Sequence, residues 1–281
     1  MGYALSMFQL KSFYKQHLPL FLLAGPDVIE EEVRPGQTLE FARRLKAICE
    51  PLGIPFAFKV SYDKANRTSV TGFRGPGLMK ALPLFREIKQ ETGVALLSDV
   101  HRFEEIEPAA EVLDVLQVPA FLSRQTDFLV EIARTGRIVN WKKGQFFAPK
   151  DVGHAIDKML SVGNERIIVT ERGFSFGYNN LVVDMRAFPI MAQFGYPVVI
   201  DATHSIQLPS GGGGKSAGER QFVAPMARAA VAAGADGVFM ETHADPEIAL
   251  CDGPNMIPMA EVPELLKQLQ RIHGLVRNER P

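Results

Sequence analysis

Ile54-Pro55-Phe56-Ala57-Phe58-Lys59-Val60-Ser61-Tyr62-Asp63-Lys64-Ala65-Asn66-Arg67-Thr68-Ser69 changes character part-way along. Ile54 to Phe58 is an apolar run that reads as a buried strand. The residues after Phe58 bring two lysines, an arginine, an asparagine and several hydroxyls, too many donors for an ordinary loop. Three cations within nine residues (Lys59, Lys64 and Arg67), placed at a strand end, suit a ligand with several anionic oxygens. Charge-assisted hydrogen bonds to phosphate and carboxylate are the strong ones.

The same alternation runs through the chain. Strands are expected at Phe21–Gly25, Pro55–Val60, Ala95–Ser98, Val115–Val118, Ile138–Trp141, Ile167–Thr170, Val198–Ile200 and Gly237–Met240. Helix-period apolar positions lie between them: Phe41, Leu45 and Ile48; Leu78, Leu82, Phe85 and Ile88; Ile156, Met159 and Leu160; Phe222, Met226 and Ala230; Leu265, Leu269 and Ile272. Strands alternating with helices pair in parallel through right-handed crossovers. Eight of them in 281 residues predict an α/β fold, the closed (β/α)8 TIM barrel, as a single domain. An open doubly wound sheet is the alternative, but Ala24-Gly25-Pro26-Asp27 is no dinucleotide turn. Residues 1–19 are expected to cap the barrel bottom, and residues 209–221 to form a mobile loop at its mouth.

Composition narrows the function. Lys plus Arg, 31, nearly cancels Asp plus Glu, 32, so the basic excess of a nucleic-acid or membrane-surface binder is missing. Leu18 to Ala24 is too short to span a bilayer. The N-terminus lacks a signal-peptide layout. Two distant cysteines, Cys49 and Cys251, suggest a reducing cytoplasm rather than a disulfide framework. Gly211-Gly212-Gly213-Gly214-Lys215-Ser216 is not a nucleotide loop, which needs glycine where Pro209 stands.

In such barrels chemistry sits at the C-terminal strand ends, and all eight ends here are polar. They carry Asp27; Lys59 to Ser69; Asp99 and His101; Gln117 and Arg124; Asn140, Lys142, Lys143 and Gln145; Glu171 and Arg172; Asp201 and His204; and Glu241, His243 and Asp245. Any one of these reads equally well as a solvated loop charge; together they point to a site. Its basic half, Lys59, Lys64, Arg67, Arg124, Lys142 and Arg172, suits more than one anion. Its other half, Asp27, His204, Glu241 and Asp252, is a set that could hold a divalent cation.

Seven ordered motifs then resemble one family, 3-deoxy-D-manno-octulosonate 8-phosphate synthase, also called 2-dehydro-3-deoxyphosphooctonate aldolase. They are FKVSYDKANRTS, FRGPG, QVPAFLSRQTD, NWKKGQF, ERGFSFGYNNLVVDMR, DATHSIQLP and METHADP. The resemblance implies a homotetrameric barrel that condenses phosphoenolpyruvate with D-arabinose 5-phosphate, releases phosphate, and serves lipopolysaccharide synthesis. It implies no organic cofactor, and no partner beyond small-molecule substrates and other copies of the chain. Carried over by motif, Lys59, Lys64, Lys142 and Arg172 hold phosphoenolpyruvate beside Ala120 and Phe121. Asn66, Arg67 and Thr68 hold the arabinose 5-phosphate, Arg124 reaches its phosphate from a neighbouring subunit, and Ser61 is a further substrate-binding candidate. Asp99, His101 and Gln117 line the centre. Lys64, Asp27, His204 and Asp252 are the catalytic candidates, with Asp252 and His204 as candidate bases.

The departure is Asp27. Metal-dependent members of the family carry Cys at this position and metal-independent members carry Asn. An oxygen-rich set leans toward Mn²⁺, Mg²⁺ or Fe²⁺ rather than the Zn²⁺ that thiolate favours. Converging carboxylates without a cation would leave one of them protonated. Two other functions compete: a sister synthase using erythrose 4-phosphate, and a non-catalytic sugar-phosphate-binding barrel.

Overall fold

A computed structural model describes residues 7–67, 69–209 and 217–278. Eight parallel strands form the barrel: β1 (Phe21–Gly25), β2 (Phe56–Lys59), β3 (Ala95–Asp99), β4 (Val115–Val118), β5 (Ile138–Lys142), β6 (Ile167–Glu171), β7 (Val198–Asp201) and β8 (Gly237–His243). Each pairs with the next, and β8 returns to β1 with Phe21 opposite Gly237 and Gly25 opposite Glu241, which closes the sheet. Every strand residue is buried, because side chains alternate between the barrel interior and the helix layer.

Among the described residues the α-helices are α1 (Gln37–Cys49), α2 (Leu78–Thr92), α3 (Phe103–Val112), α4 (Thr126–Arg134), α5 (Val152–Leu160), α6 (Ala187–Ala192), α7 (Val223–Ala232) and α8 (Val262–Asn278). α2 buries Leu78, Leu82, Phe85 and Ile88, as its periodicity predicts. α7 follows its predicted phase only in part, with Ala230 buried and Met226 packed partly buried against the core. Phe222 is exposed and precedes the helix, and the buried face is Val223, Ala227, Ala230 and Val231. A face of small residues gave too weak a periodic signal beside one large aromatic. Leu160, expected in the core, lies at the exposed end of α5.

Below the barrel, Phe8 and Phe13 are buried. The Phe13 N–H donates to Glu165 O at 3.1 Å, and Arg166 donates to Phe8 O at 2.8 Å, both just before β6. At the other end, a short antiparallel hairpin of Phe174–Ser175 and Leu181–Val182 follows β6. Strand ends at the mouth depart from expectation mostly in one direction. β3, β5, β6, β7 and β8 run one to three residues further, taking in Asp99, Lys142, Glu171, Asp201 and Glu241, while β2 stops at Lys59, one residue short. These charged residues are strand, not loop, so the backbone ladder fixes where their side chains begin.

Candidate active site

A cavity of about 690 Å³ opens at the C-terminal ends of the strands. Its floor is a chain of side-chain hydrogen bonds across four neighbouring strands. Thr170 donates to Asn140 Oδ1 (2.6 Å), Asn140 to Gln117 Oε1 (2.9 Å), and Gln117 to Asp99 Oδ1 (3.4 Å). Ser61 also donates to Asp99 Oδ1 at 2.9 Å, and His101 Nε2 lies 3.0 Å from Asp99 Oδ2. The buried amides and hydroxyls of this chain satisfy one another, which holds the floor in one arrangement.

Above it, four cations meet five carboxylates. Lys59, 1% exposed, donates to Glu241 Oε1 at 3.0 Å and Asp27 O at 3.1 Å, with Asp27 Oδ1 at 3.4 Å and Asp99 Oδ1 at 3.9 Å. Lys64 pairs with Asp27 Oδ1. Lys142 donates to Asp201 Oδ2 at 2.6 Å and stands 3.8 Å over the Phe239 ring. Arg172 is 5% exposed; it donates through one nitrogen to Gln207 Oε1 at 3.3 Å, and its buried Nη1 meets no acceptor among the described residues. Asp252 is the fifth carboxylate.

Burial alone would raise the Asp27 carboxyl, but Lys64 and Lys59 outweigh it and hold the group well below the usual carboxylate range. Glu241 goes the other way. Burial and then the neighbouring Asp27 charge push it up to about 7. For His204, burial lowers the imidazole, yet Asp201 and Glu241 reverse the sign and leave it above its ordinary value. Burial likewise lowers Lys142 and Arg172 against their partners.

His204, Glu241 and Asp252 offer ligand atoms that all lie within 4.8 Å of one another. Nε2 of His204 is 3.7 Å from Glu241 Oε1 and 3.6 Å from Asp252 Oδ2. Asp27, grouped with them on sequence, is not part of this cluster. Its backbone is left-handed at φ 72°, where Asp and Asn are the more tolerant side chains, and its carboxylate is engaged by the lysines. Asp27 Oδ2 and Glu241 Oε2 are nonetheless buried without partners among the described residues. Unpaired carboxylate oxygens beside a His/Glu/Asp cluster fit a divalent cation.

Lys59, Lys64, Asn66, Arg67, Asp99, His101, Gln117, Ala120, Phe121, Lys142, Arg172, His204 and Asp252 all line the cavity. Ser61, Asp27 and Glu241 support it from below. Arg124 does not reach it; it is exposed, with its guanidinium 5.7 Å from the Phe147 ring centre. Thr68 and the Gly211–Gly214 tract lie outside the described residues. Asp201, on sequence one more strand-end acid, is central. Its carboxylate holds Lys142 and takes both the His204 N–H (2.8 Å) and the imidazole Nδ1 (2.9 Å). An acid three residues before a candidate ligand histidine was the available signal.

The model of the DAHP synthetase I family matches residues 12–277. The chain belongs to that family. Among curated members, the 2-dehydro-3-deoxyphosphooctonate aldolase of Trichlorobacter lovleyi is 59% identical over 258 residues, 92% of this chain and 94% of the relative. Those of Geobacter sulfurreducens and Geobacter metallireducens are 58% and 59% identical over 259 residues, with the same coverage. The motif resemblance is thereby borne out at the level of the name these relatives carry.

Proposed function

We propose that the chain condenses phosphoenolpyruvate with D-arabinose 5-phosphate and water to give 3-deoxy-D-manno-octulosonate 8-phosphate and inorganic phosphate, a step toward lipopolysaccharide. Arg172 carries the reading: a nearly dry guanidinium with a nitrogen to spare, beside Lys142 in a cavity large enough for two small anions. The relatives' shared name supports this substrate pair over the erythrose 4-phosphate reaction and over a non-catalytic barrel.

Lys142 and Arg172, with Lys64 and Lys59 at their edge, hold the phosphoenolpyruvate carboxylate and phosphate. Asn66 and Arg67 hold the sugar phosphate. Both substrates are thus fixed with C3 of one facing the aldehyde of the other, which removes most of the entropic cost of their encounter. A carbon–carbon bond forms from C3 to the aldehyde carbon, and His101, held by Asp99, is placed to deliver the proton its oxygen needs. Water then adds at C2, losing its proton to Asp252, whose carboxylate lines the cavity. The resulting hemiketal phosphate collapses by C–O cleavage, and the cations stabilise the departing phosphate.

His204, Glu241 and Asp252 are the residues that would hold Mn²⁺, Mg²⁺, Fe²⁺ or Zn²⁺. A cation there supplies Lewis acidity and balances the surplus of carboxylates. The deciding assay is phosphate release from the two substrates after EDTA stripping, with and without Mn²⁺ added back. Turnover in either state supports the synthase, and the difference measures the cation's part. Turnover with erythrose 4-phosphate alone would overturn the assignment.

Glu241 gives a pH test. Its folded pKa of about 7 lies above the unfolded value, so its contribution to stability is present at low pH and lost as pH rises through 7. A bound cation replaces the proton. Mn²⁺ should therefore raise the melting temperature of EDTA-stripped protein more at pH 8 than at pH 6. An equal rise at both would remove Glu241 from the ligand set.

No described helix is long and apolar enough to cross a membrane. We place the enzyme in the cytoplasm as a homotetramer. Exposed Arg124 then completes a neighbour's arabinose 5-phosphate site.

A further inference from the structure

Lys142 and Arg172 line the cavity, while their neighbours Lys143, just past β5, and Glu171, the last residue of β6, turn away from it among the loop residues Gly144, Phe147, Gly173 and Phe174. There the two meet. Lys143 is 1% exposed and Glu171 2%, and Nζ lies 3.3 Å from Glu171 Oε2. Neither touches the cavity. Each also ties down backbone next to an anion-binding residue. The Lys143 N–H donates to Thr170 O at 2.8 Å, extending the β5–β6 ladder past Lys142, and its ammonium reaches Phe147 O at 3.1 Å, closing the next turn of the chain. Glu171 Oε1 accepts the Gly173 N–H at 2.7 Å, fixing the chain immediately after Arg172.

A buried ion pair is a poor source of stability, since apolar side chains of similar volume do as well or better. This one costs two desolvated charges at a place where the core could be apolar. What it adds is position. It bolts the last residue of β6 to the first residue beyond β5, so that the two anion-binding side chains start from fixed points.

We infer that Lys143 and Glu171 are a positioning pair that aims Lys142 and Arg172 at the same anionic substrate. The inference rests on the reading that these two cations hold phosphoenolpyruvate. Lys143→Met keeps the stem and removes the charge. Its phosphoenolpyruvate Kd by titration calorimetry, and its KM, should rise roughly 10- to 100-fold, the scale of loss seen when a group that orients a metal-binding side chain is removed. The KM for arabinose 5-phosphate, whose binding residues lie on the β2 loop, should stay at the parent's value.

Because a lone buried Glu171 could prevent folding, Lys143→Met/Glu171→Gln is measured beside it. This variant leaves no unpaired charge, and should melt near the parent temperature while still binding phosphoenolpyruvate weakly. Parent-like phosphoenolpyruvate affinity in the folded double variant overturns the inference, as does an equal rise in both KM values, which marks general loosening. A parent protein that binds no phosphoenolpyruvate overturns the anion reading itself and the inference with it.

Discussion

Arg172→Met should cut kcat/KM for phosphoenolpyruvate roughly 10²- to 10³-fold, the usual loss for one preorganised donor to a developing charge. Burial opposes the Arg172 charge, and Asp201 and Glu171 sustain it from a distance. Its buried Nη1 has no internal acceptor among the described residues, so a substrate oxygen bonded to it would break no existing hydrogen bond. That separates it from Lys59 and Lys64, whose ammonium groups already hold carboxylates. Methionine fills the space without the charge, so the melting temperature should hold while turnover collapses. Steady-state kinetics beside a thermal melt decides the point. A loss of stability with kcat/KM intact would make Arg172 a structural residue.

Lys59→Met should do the reverse and strike the fold first. Lys59 sits among Glu241, Asp27 and Asp99, all buried. Without its ammonium the three carboxylates keep Lys64, with His101 beside Asp99 and His204 beside Glu241, and truncating one side of a buried pair costs about 3–5 kcal/mol. In a chain of this size that corresponds to a fall in melting temperature on the order of 10 °C. Adding Glu241→Gln to Lys59→Met removes the carboxyl that ionises with most difficulty, and should recover part of the loss. A single variant that melts with the parent would mean that protons or Lys64 already balance the cluster.

Both predictions depend on how the strand ends were built, and here sequence was informative but incomplete. Largely apolar runs such as Phe21–Gly25 gave whole strands, because a parallel strand covered on both faces is nearly continuously apolar. The same rule cut other strands short. Asp99, Lys142, Glu171, Asp201 and Glu241 look like loop when polarity marks the boundary, yet the ladder continues through them. Helical periodicity worked where the buried face is large, as in α2, and slipped in α7, where alanine does the packing.

By itself, then, the sequence determined the alternation of eight strands and helices, the gathering of charge at one end of the barrel, and, through its ordered motifs, the family. These are properties of local pattern and of fixed spacing. Which charge meets which was decided only by tertiary structure, because opposite charges drawn from several strands can pair in many ways until closure sets their distances. Closure turned Asp27 toward Lys64 and gathered His204, Glu241 and Asp252 into one compact cluster. It made Asp201 the link between Lys142 and His204, and it put Arg124 outside its own cavity. It also turned Lys143, one residue from Lys142 and chemically identical to it, away from the cavity, with Glu171 as its partner. Side-chain alternation along a strand allows that division; only the closed sheet supplies the partner that keeps each charge where it points.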